Sequence, residues 1–398
     1  MNIIFLTISY LKDISGRGIY QDLLREFVAK GHSVYVVSPR ERRLGLQTEL
    51  IERKDFSLLG VKTLNLQKTN LIEKGLGTIL LEFQFKYAIK KFYKGISWDL
   101  ILYSTPPITF PNVIKYLMKK NPGVRTYLLL KDIFPQNAVD LGMISKISPL
   151  YWFFRRKEKQ LYRLSDYIGC MSPANVRYII EHNPEVLPER VEVAPNSIEL
   201  KPQVHVDRVS LRQRYGLPID RPVFIFGGNL GKPQGIDFLI QCLDMNANRE
   251  NCFFLVIGTG TELPLLKKWH QTRQPHSVKV LDGIPKEAFD NLVQSCDVGM
   301  IFLDHRFTIP NFPSRLLSYL EYAMPVLCVT DANTDIGRIV EDNGFGYWCE
   351  SESAKEFTDT LERMISSDIV KMGEIGFRFL CANYLVQNTY SVIMSHYV

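Results

Sequence analysis

The residues best placed to do chemistry sit in glycine-containing loops. FGGNLGKPQGIDFLI (226–240) carries glycines at 227, 228, 231 and 235, one lysine and two amides, between an apolar run and a helical pattern. Glycine lets backbone N–H groups approach a phosphate closely, at the positive end of a helix. There Lys232 would place a point charge, while Asn229 and Gln234 donate amide hydrogens beside Gly228. The loop is not a P-loop, because GxxxxGK[ST] is absent. IGTGTELPLL (257–266) puts Gly258 and Gly260 at a second strand end, and LDGIPKEAF (281–289) places Ile284 just before a helix start. In PNFPSRLLSYLEYAMPVLCVT (310–330), Pro313-Ser314 opens a helix, and Ser314, Ser318 and Glu321 share one face. Arg315 lies in the first turn, where a cation is unfavourable unless an anion is near. The chemistry implied is the holding of a phosphate by backbone amides, side-chain amides and a lysine.

The first half of the chain repeats the theme more weakly. SGRG (15–18) lies between a strand run and a helix, so the amides of Gly16 and Gly18 are candidates for a phosphate. It is not GxGxxG, and no acidic residue ends the second strand to hold a ribose, which disfavours a nicotinamide cofactor. Asp132 follows an apolar strand and is a candidate to orient an acceptor hydroxyl; the plainer reading is a helix N-cap. The histidines lack metal-ligand spacing and no DxD follows a strand. No metal or other cofactor is expected.

Two stretches mix aromatics with cations. GTILLEFQFKYAIKKFYKG (77–95) sets Lys86, Lys90 and Lys94 at steps of four beside Phe83, Tyr87 and Phe92. SPLYWFFRRKEKQLYR (148–163) sets Trp152 and Phe153 just before Arg155, Arg156 and Lys157. Such segments suit the headgroup region of an anionic bilayer. The alternative is a pair of ordinary amphipathic helices whose aromatics fill the core.

The elements that position these residues follow from hydrophobic patterning. Apolar, β-branched runs at 3–9, 33–38, 61–66, 99–104, 124–130 and 166–172 alternate with helical patterns near 18–30 and 76–94. The pattern restarts at 221–228 and continues through 252–258, 278–283, 297–303 and 324–330. This is an α/β chain with parallel sheets and helical crossovers. It reads as two facing, doubly wound Rossmann-like domains, 1–202 and 203–375, with a cleft between them at the carboxyl ends of the strands. Residues 201–220 read as a linker. The C-terminal segment, 376–398, is helical in pattern and is expected to pack back on the first domain.

Composition sets the frame. Of 398 residues, 46% are hydrophobic and 23% charged, which excludes a disordered, collagen-like or disulfide-scaffold chain. The seven cysteines form no CxxC pair and read as reduced core thiols of a cytosolic protein. No apolar stretch reaches the roughly 18–20 residues of a membrane span, and Met1–Tyr10 lacks the basic start of a signal peptide. The net charge of +6 is uneven: residues 1–200 hold 29 Lys+Arg against 19 Asp+Glu, and the second half is net acidic. A basic first half suits an anionic surface or substrate.

Taken in order, GGNLGKPQG, IGTG, LDGIP, SCDVGMIFL and PSRLLSYLEYAMPVL resemble the nucleotide-sugar domain of retaining glycosyltransferases of family four. SGRGIYQDLLREFVAKGHSVYVV, KDIFPQNAVDLG and VAPNSIEL resemble the acceptor domain of the same family, in its bacterial capsule and O-antigen branch. The resemblance spans essentially the whole chain and implies the GT-B fold. In that family an Arg and a Lys of the second glycine loop grip the donor diphosphate; those positions fall on Asn229 and Gln234, with Lys232 between them. Two family glutamates with seven residues between them fall on Pro310 and Ser318, so both carboxylates are absent. Glu321 and the backbone amides of Asn311, Phe312 and Ser314 are the candidates to replace them. Lys232, Arg315 and the Gly16 amide would stabilise the leaving diphosphate.

The resemblance implies a retaining, metal-independent transfer of a sugar from a nucleotide-sugar to a lipid-linked acceptor. The expected donor is a UDP-linked N-acetylated hexose or deoxyhexose, and the expected place is the cytoplasmic face of the cell membrane, peripherally attached. Two alternatives stay open: a nucleotide-sugar 2-epimerase on the same architecture, and a catalytically weakened glycosyltransferase-like binding subunit. Nucleic acid is not an expected partner, since the cations lie on apolar helices.

Overall fold

The computed structural model describes the chain apart from residues 67, 68, 70, 203–205 and 398. It divides into two compact units, Met1–Glu199 with Val386–Val398, and Leu200–Leu385. The sequence boundary at 202/203 lies three residues beyond this division, with residue 203 outside those described.

The first unit runs β1 (Asn2–Leu6), α1 (Ile19–Ala29), β2 (Ser33–Glu41), β3 (Glu49–Glu52), β4 (Phe56–Thr63), α2 (Leu71–Phe92), β5 (Leu100–Ser104), α3 (Pro111–Lys120), β6 (Arg125–Leu130), α4 (Gln136–Asp140), α5 (Pro149–Leu164), β7 (Tyr167–Cys170), α6 (Pro173–His182) and β8 (Val191–Val193). Its eight-stranded sheet has the order β3-β4-β2-β1-β5-β6-β7-β8. Only β3 is antiparallel, paired to β4 at the edge. The inner strands are apolar at nearly every position because helices cover both faces; β5, Leu100–Ser104, is buried throughout.

The second unit runs α7 (Arg208–Arg214), β9 (Val223–Asn229), α8 (Ile236–Met245), β10 (Phe253–Thr259), α9 (Leu263–Arg273), β11 (Val278–Asp282), α10 (Lys286–Gln294), β12 (Val298–Phe302), α11 (Arg315–Glu321), β13 (Val326–Thr330), α12 (Ile336–Asp342), β14 (Gly346–Glu350), α13 (Ala354–Ile365) and α14 (Ile369–Asn383). Its six strands, all parallel, lie in the order β11-β10-β9-β12-β13-β14. Phe224, Phe226, Phe254 and Phe302 fill its core from one side of the sheet.

In each sheet the strand order reverses beside the first strand, next to β1 and next to β9. Loops leaving those strands at the carboxyl edge sit where doubly wound sheets bind ligands. Two of the glycine loops, 15–18 and 227–235, are these loops.

The structure departs from the sequence reading in its strands, its linker and its C-terminal segment. Strands β3, β8 and β14 are additional. The presumed linker contains α7, bolted down by charge: Arg208 and Arg212 both pair with Asp297, and Arg212 also donates to the Ser295 carbonyl at 2.8 Å. Residues 376–385 belong to the second unit, within and just after α14; only the segment from Val386 groups with the first. There α15 (Val386–Met394) packs on α1, with the Val386 N–H donating to the Ile198 carbonyl at 3.1 Å. The cysteines are free thiols, all buried except the half-buried Cys381.

Candidate functional site

The best-formed site lies at the carboxyl end of β9. Phe226 is fully buried, and the chain then turns through Gly227 and Gly228. Gly228 adopts φ +110°, a conformation that favours glycine. Leu230 buries itself and anchors the loop: its N–H donates to the Thr259 carbonyl at 2.9 Å. A short 3-10 turn, 232–234, leads through Gly235 (φ +56°) into α8, whose first-turn amides begin there. The loop is clasped by amides, Asn229 Nδ2 donating to Gln234 Oε1 at 3.1 Å and the Gly231 N–H to the same oxygen at 3.2 Å. Lys232 is exposed, its carbonyl accepting the Gly235 N–H at 3.0 Å, and among the described residues its ammonium has no hydrogen-bond or ion-pair partner.

Arg315, at the start of α11, reaches the same loop. Its guanidinium lies 4.3 Å from the centroid of the Phe226 ring. Nη2 donates to the Asn229 carbonyl at 3.4 Å, whereas Nη1 is buried with no hydrogen-bond partner. Burial lowers the guanidinium's pKa, yet an arginine stays charged in a protein. A cation with a buried, unused N–H beside a glycine loop has a donor that an anion could take up.

The other predicted donor residues fall into two groups. Gly258 and Gly260 have a packing role: a Cβ would stand 1.9 Å from the Gly228 carbonyl oxygen at the first and 2.1 Å from that of Leu230 at the second. They let the β10 loop lie directly on the β9 loop. Ile284, half-buried, sits in the loop after β11. Asn311, Phe312, Ser314 and Ser318 are half-buried around the start of α11; the Asn311 N–H donates to Thr334 Oγ1 at 3.1 Å and Phe312 packs on Tyr384. Glu321 is 4% exposed at the opposite end of α11, about 9 Å along the axis from Arg315. That separation places it away from the loop that Arg315 serves.

In the first unit the glycine loop differs from expectation. Asp13 Oδ1 accepts the Ser15 N–H at 2.9 Å, the Ser15 hydroxyl at 2.7 Å and the Gly16 N–H at 3.4 Å. The Gly18 N–H donates to Asp22 Oδ1 at 3.3 Å. Hydrogen bonding by Ser15 lowers the Asp13 pKa. The anions held by these amides are the chain's own carboxylates, which corrects the assignment of Gly16 and Gly18 to a phosphate. Arg25 fixes the loop, donating to the carbonyls of Ile14 and Gly16 and pairing with Asp22 and Glu199. Asp132 is half-buried after β6; Asn137 Nδ2 donates to its Oδ1 at 2.7 Å, and the N-cap of α4 is Pro135.

The aromatic–basic helices also split. On α2 Leu81, Phe85 and Ile89 are buried while Leu76, Ile79, Leu80, Phe83 and Tyr87 are exposed, Tyr87 by 71%, with Lys86 and Lys90 exposed among them. Ile147, Leu150, Trp152 and Phe153, with Arg156, are exposed in and just before α5. Arg155 instead turns inward: it pairs with Glu158 at 2.6 Å and donates to the His182 carbonyl and to Asn183 Oδ1. Its place on a lipid-facing surface is therefore corrected. Lys157 bridges to Glu82 on α2 at 2.8 Å. No helix among the described residues is long and apolar enough to cross a membrane. No group of three or more His, Cys, Asp or Glu that could hold a metal ion occurs among them.

Sequence reasoning missed Phe226, Arg25 and Lys131. Phe226 was legible as the last core residue before the glycine pair; the others act through folded contacts that no local pattern encodes.

Residues 207–375 match the family model "Glycosyl transferases group 1". The chain is 24% identical over 333 residues, 80% of it and 78% of the relative, to "Probable glycosyltransferase WbjE" of Pseudomonas aeruginosa. It is 25% identical over 248 residues, 60% of each chain, to "Putative colanic acid biosynthesis glycosyl transferase WcaI" of Escherichia coli K12. Among solved structures it is similar to WaaG, a glycosyltransferase involved in lipopolysaccharide biosynthesis (TM-score 0.66, 15% identity, 99% of both chains). It is also similar to HepE of Anabaena in complex with UDP-glucose (TM-score 0.70, 14% identity, 100% of this chain and 99% of that one). These likenesses show the GT-B fold.

Proposed function

We propose that this GT-B chain, with its group 1 glycosyl transferase domain, moves a sugar from a nucleotide-sugar to an acceptor in cell-surface polysaccharide assembly. The observation that carries the reading is the half-buried Arg315, whose buried Nη1 has no hydrogen-bond partner, beside the glycine loop 227–235. In the transfer the bond from the anomeric carbon to the diphosphate breaks, and a bond to the acceptor oxygen forms. The acceptor hydroxyl loses its proton, and negative charge grows on the leaving diphosphate. Arg315 and Lys232 stabilise that charge, helped by the first-turn amides of α8. Asp132, steadied by Asn137, orients the acceptor hydroxyl.

The finer points rest on narrower support. A retaining, metal-independent course follows from the resemblance to family four, in which the leaving diphosphate assists deprotonation. A UDP-sugar donor fits HepE, solved with UDP-glucose. A lipid-linked acceptor and peripheral attachment to an anionic membrane fit the exposed apolar residues of α2 and α5 with Lys86, Lys90 and Arg156. The amide clasp where the family has charges favours a second reading, a binding subunit with weakened turnover.

Calorimetric titration with UDP, GDP and ADP, without added metal, tests the proposal. UDP is expected to bind in the micromolar range. Lys232→Ala is expected to lose about tenfold, or about 1.4 kcal/mol. Failure of all three nucleotides to bind would sink the donor site; binding without sugar transfer would select the binding subunit.

A further inference from the structure

Lys131 directly follows β6, at the carboxyl edge of the first unit's sheet. Its backbone N–H donates to Thr105 Oγ1, just beyond β5, at 3.0 Å. Its side chain crosses the ends of the neighbouring strands, and Nζ donates to the Ala194 carbonyl, just past β8, at 3.0 Å. Ala194 and the nearby Cys170 are both fully buried. Among the described residues no carboxylate pairs with this ammonium, which lies among desolvating neighbours close to the Cys170 thiol. Burial pushes its pKa down to about 7.

An ammonium in such surroundings, with one neutral carbonyl for three donors, destabilises the fold relative to an apolar side chain of the same length. Here the unspent donors stand at the edge where doubly wound sheets take their ligands, next to Asp132. A lysine offers a compact point charge that suits a single oxygen of a phosphate or carboxylate.

We propose that Lys131 receives an oxyanion of the acceptor, so that the first unit selects acceptors carrying a phosphate or carboxylate near the reacting hydroxyl. This rests on the glycosyltransferase reading for the word acceptor; the anion site itself does not. An arriving oxyanion supplies the counter-charge that the fold withholds. It also fixes the acceptor beside Asp132, which orients the hydroxyl.

The test compares charged and neutral probes on the full chain, without nucleotide. Geranyl diphosphate against geraniol reads a phosphate source. Methyl β-glucuronide against methyl β-glucoside reads a carboxylate source. One charged probe is expected to bind at least tenfold tighter than its neutral partner, and Lys131→Met to abolish that preference. Lys131→Arg should restore most of it, and the thermal unfolding midpoints of both variants report whether they fold. The proposal fails if Lys131→Met keeps the charge preference, or if neither charged probe is preferred by the wild type. It also fails if Lys131→Met weakens UDP binding as much as it weakens the charged probe, which would assign the charge to the donor. Absence of UDP binding in every protein would count against the transferase reading alone, since the probe pairs are compared without nucleotide.

Discussion

The guanidinium of Arg315 rests on the ring of Phe226, 4.3 Å from its centroid, with one buried nitrogen unbonded. The ring supports the cation from below without neutralising it, since a π face attracts a cation but offers no counter-ion. Gly228 is required by its backbone: φ is +110°, an angle that side chains rarely adopt, while a Cβ there would make only ordinary contact, 3.9 Å from Arg315 Nη2. In the proposed donor site, α11 would supply through Arg315 the charge that the glycine loop lacks at Asn229 and Gln234.

Replacing Arg315 separates charge from geometry. Arg315→Met keeps most of the stacking on Phe226 and removes the charge. UDP affinity should fall at least tenfold, with little change in thermal stability. Arg315→Lys should recover part of the loss, because a point charge replaces a two-pronged donor. Calorimetry with UDP decides; an affinity within threefold of wild type in Arg315→Met would remove Arg315 from the donor site.

The exposed aromatic surface proposed to meet a membrane and the buried ion pair give opposite signatures. Exchanging Phe83, Tyr87 and Trp152 together for serine removes exposed apolar area, so partition onto anionic vesicles should drop several-fold while the unfolding midpoint holds. Arg155→Met should leave vesicle binding intact. It strands Glu158, 4% exposed by its side chain, without its cation, and should cost about 3–5 kcal/mol of stability. Vesicle flotation and urea denaturation measure the two. Serine exchange that leaves flotation unchanged would detach these residues from any lipid role.

The two sheets were legible because strands buried on both faces read as unbroken apolar runs, as β5 and β9 do. What stayed hidden depends on partners distant in sequence. Glu49–Glu52 forms a strand because β4 accepts it at an edge, not because ELIE alternates convincingly. Helix α7 holds through Asp297, some 85 residues on, a link that hydrophobic periodicity cannot register. The glycine loop at 227–235 was recognisable from its glycines. The loop at 15–18 looked equivalent, yet its amides are spent on Asp13 and Asp22, and only the fold brings Arg25 and Glu199 together around it.

Lys131 predicts the sign of a pH effect. Its folded pKa, about 7, lies below the roughly 10.4 of an unfolded lysine. Below pH 7 both states hold the proton, and the fold carries the full burden of the partly buried ammonium. Between pH 7 and about 10 the unfolded chain binds more protons than the folded one, so stability contributed at this site rises with pH. The Cys170 thiol beside it is pushed upward by burial and stays neutral over that range. Lys131→Met has no proton to lose. It should therefore be more stable than wild type near pH 6, and wild type should close the gap steadily as pH rises from 7 towards 10. Urea denaturation midpoints of the two proteins across that range test this; a constant difference would mean that the lysine is not held in the interior. A saturating oxyanion should flatten the wild-type curve, because it favours the protonated amine in the folded state alone.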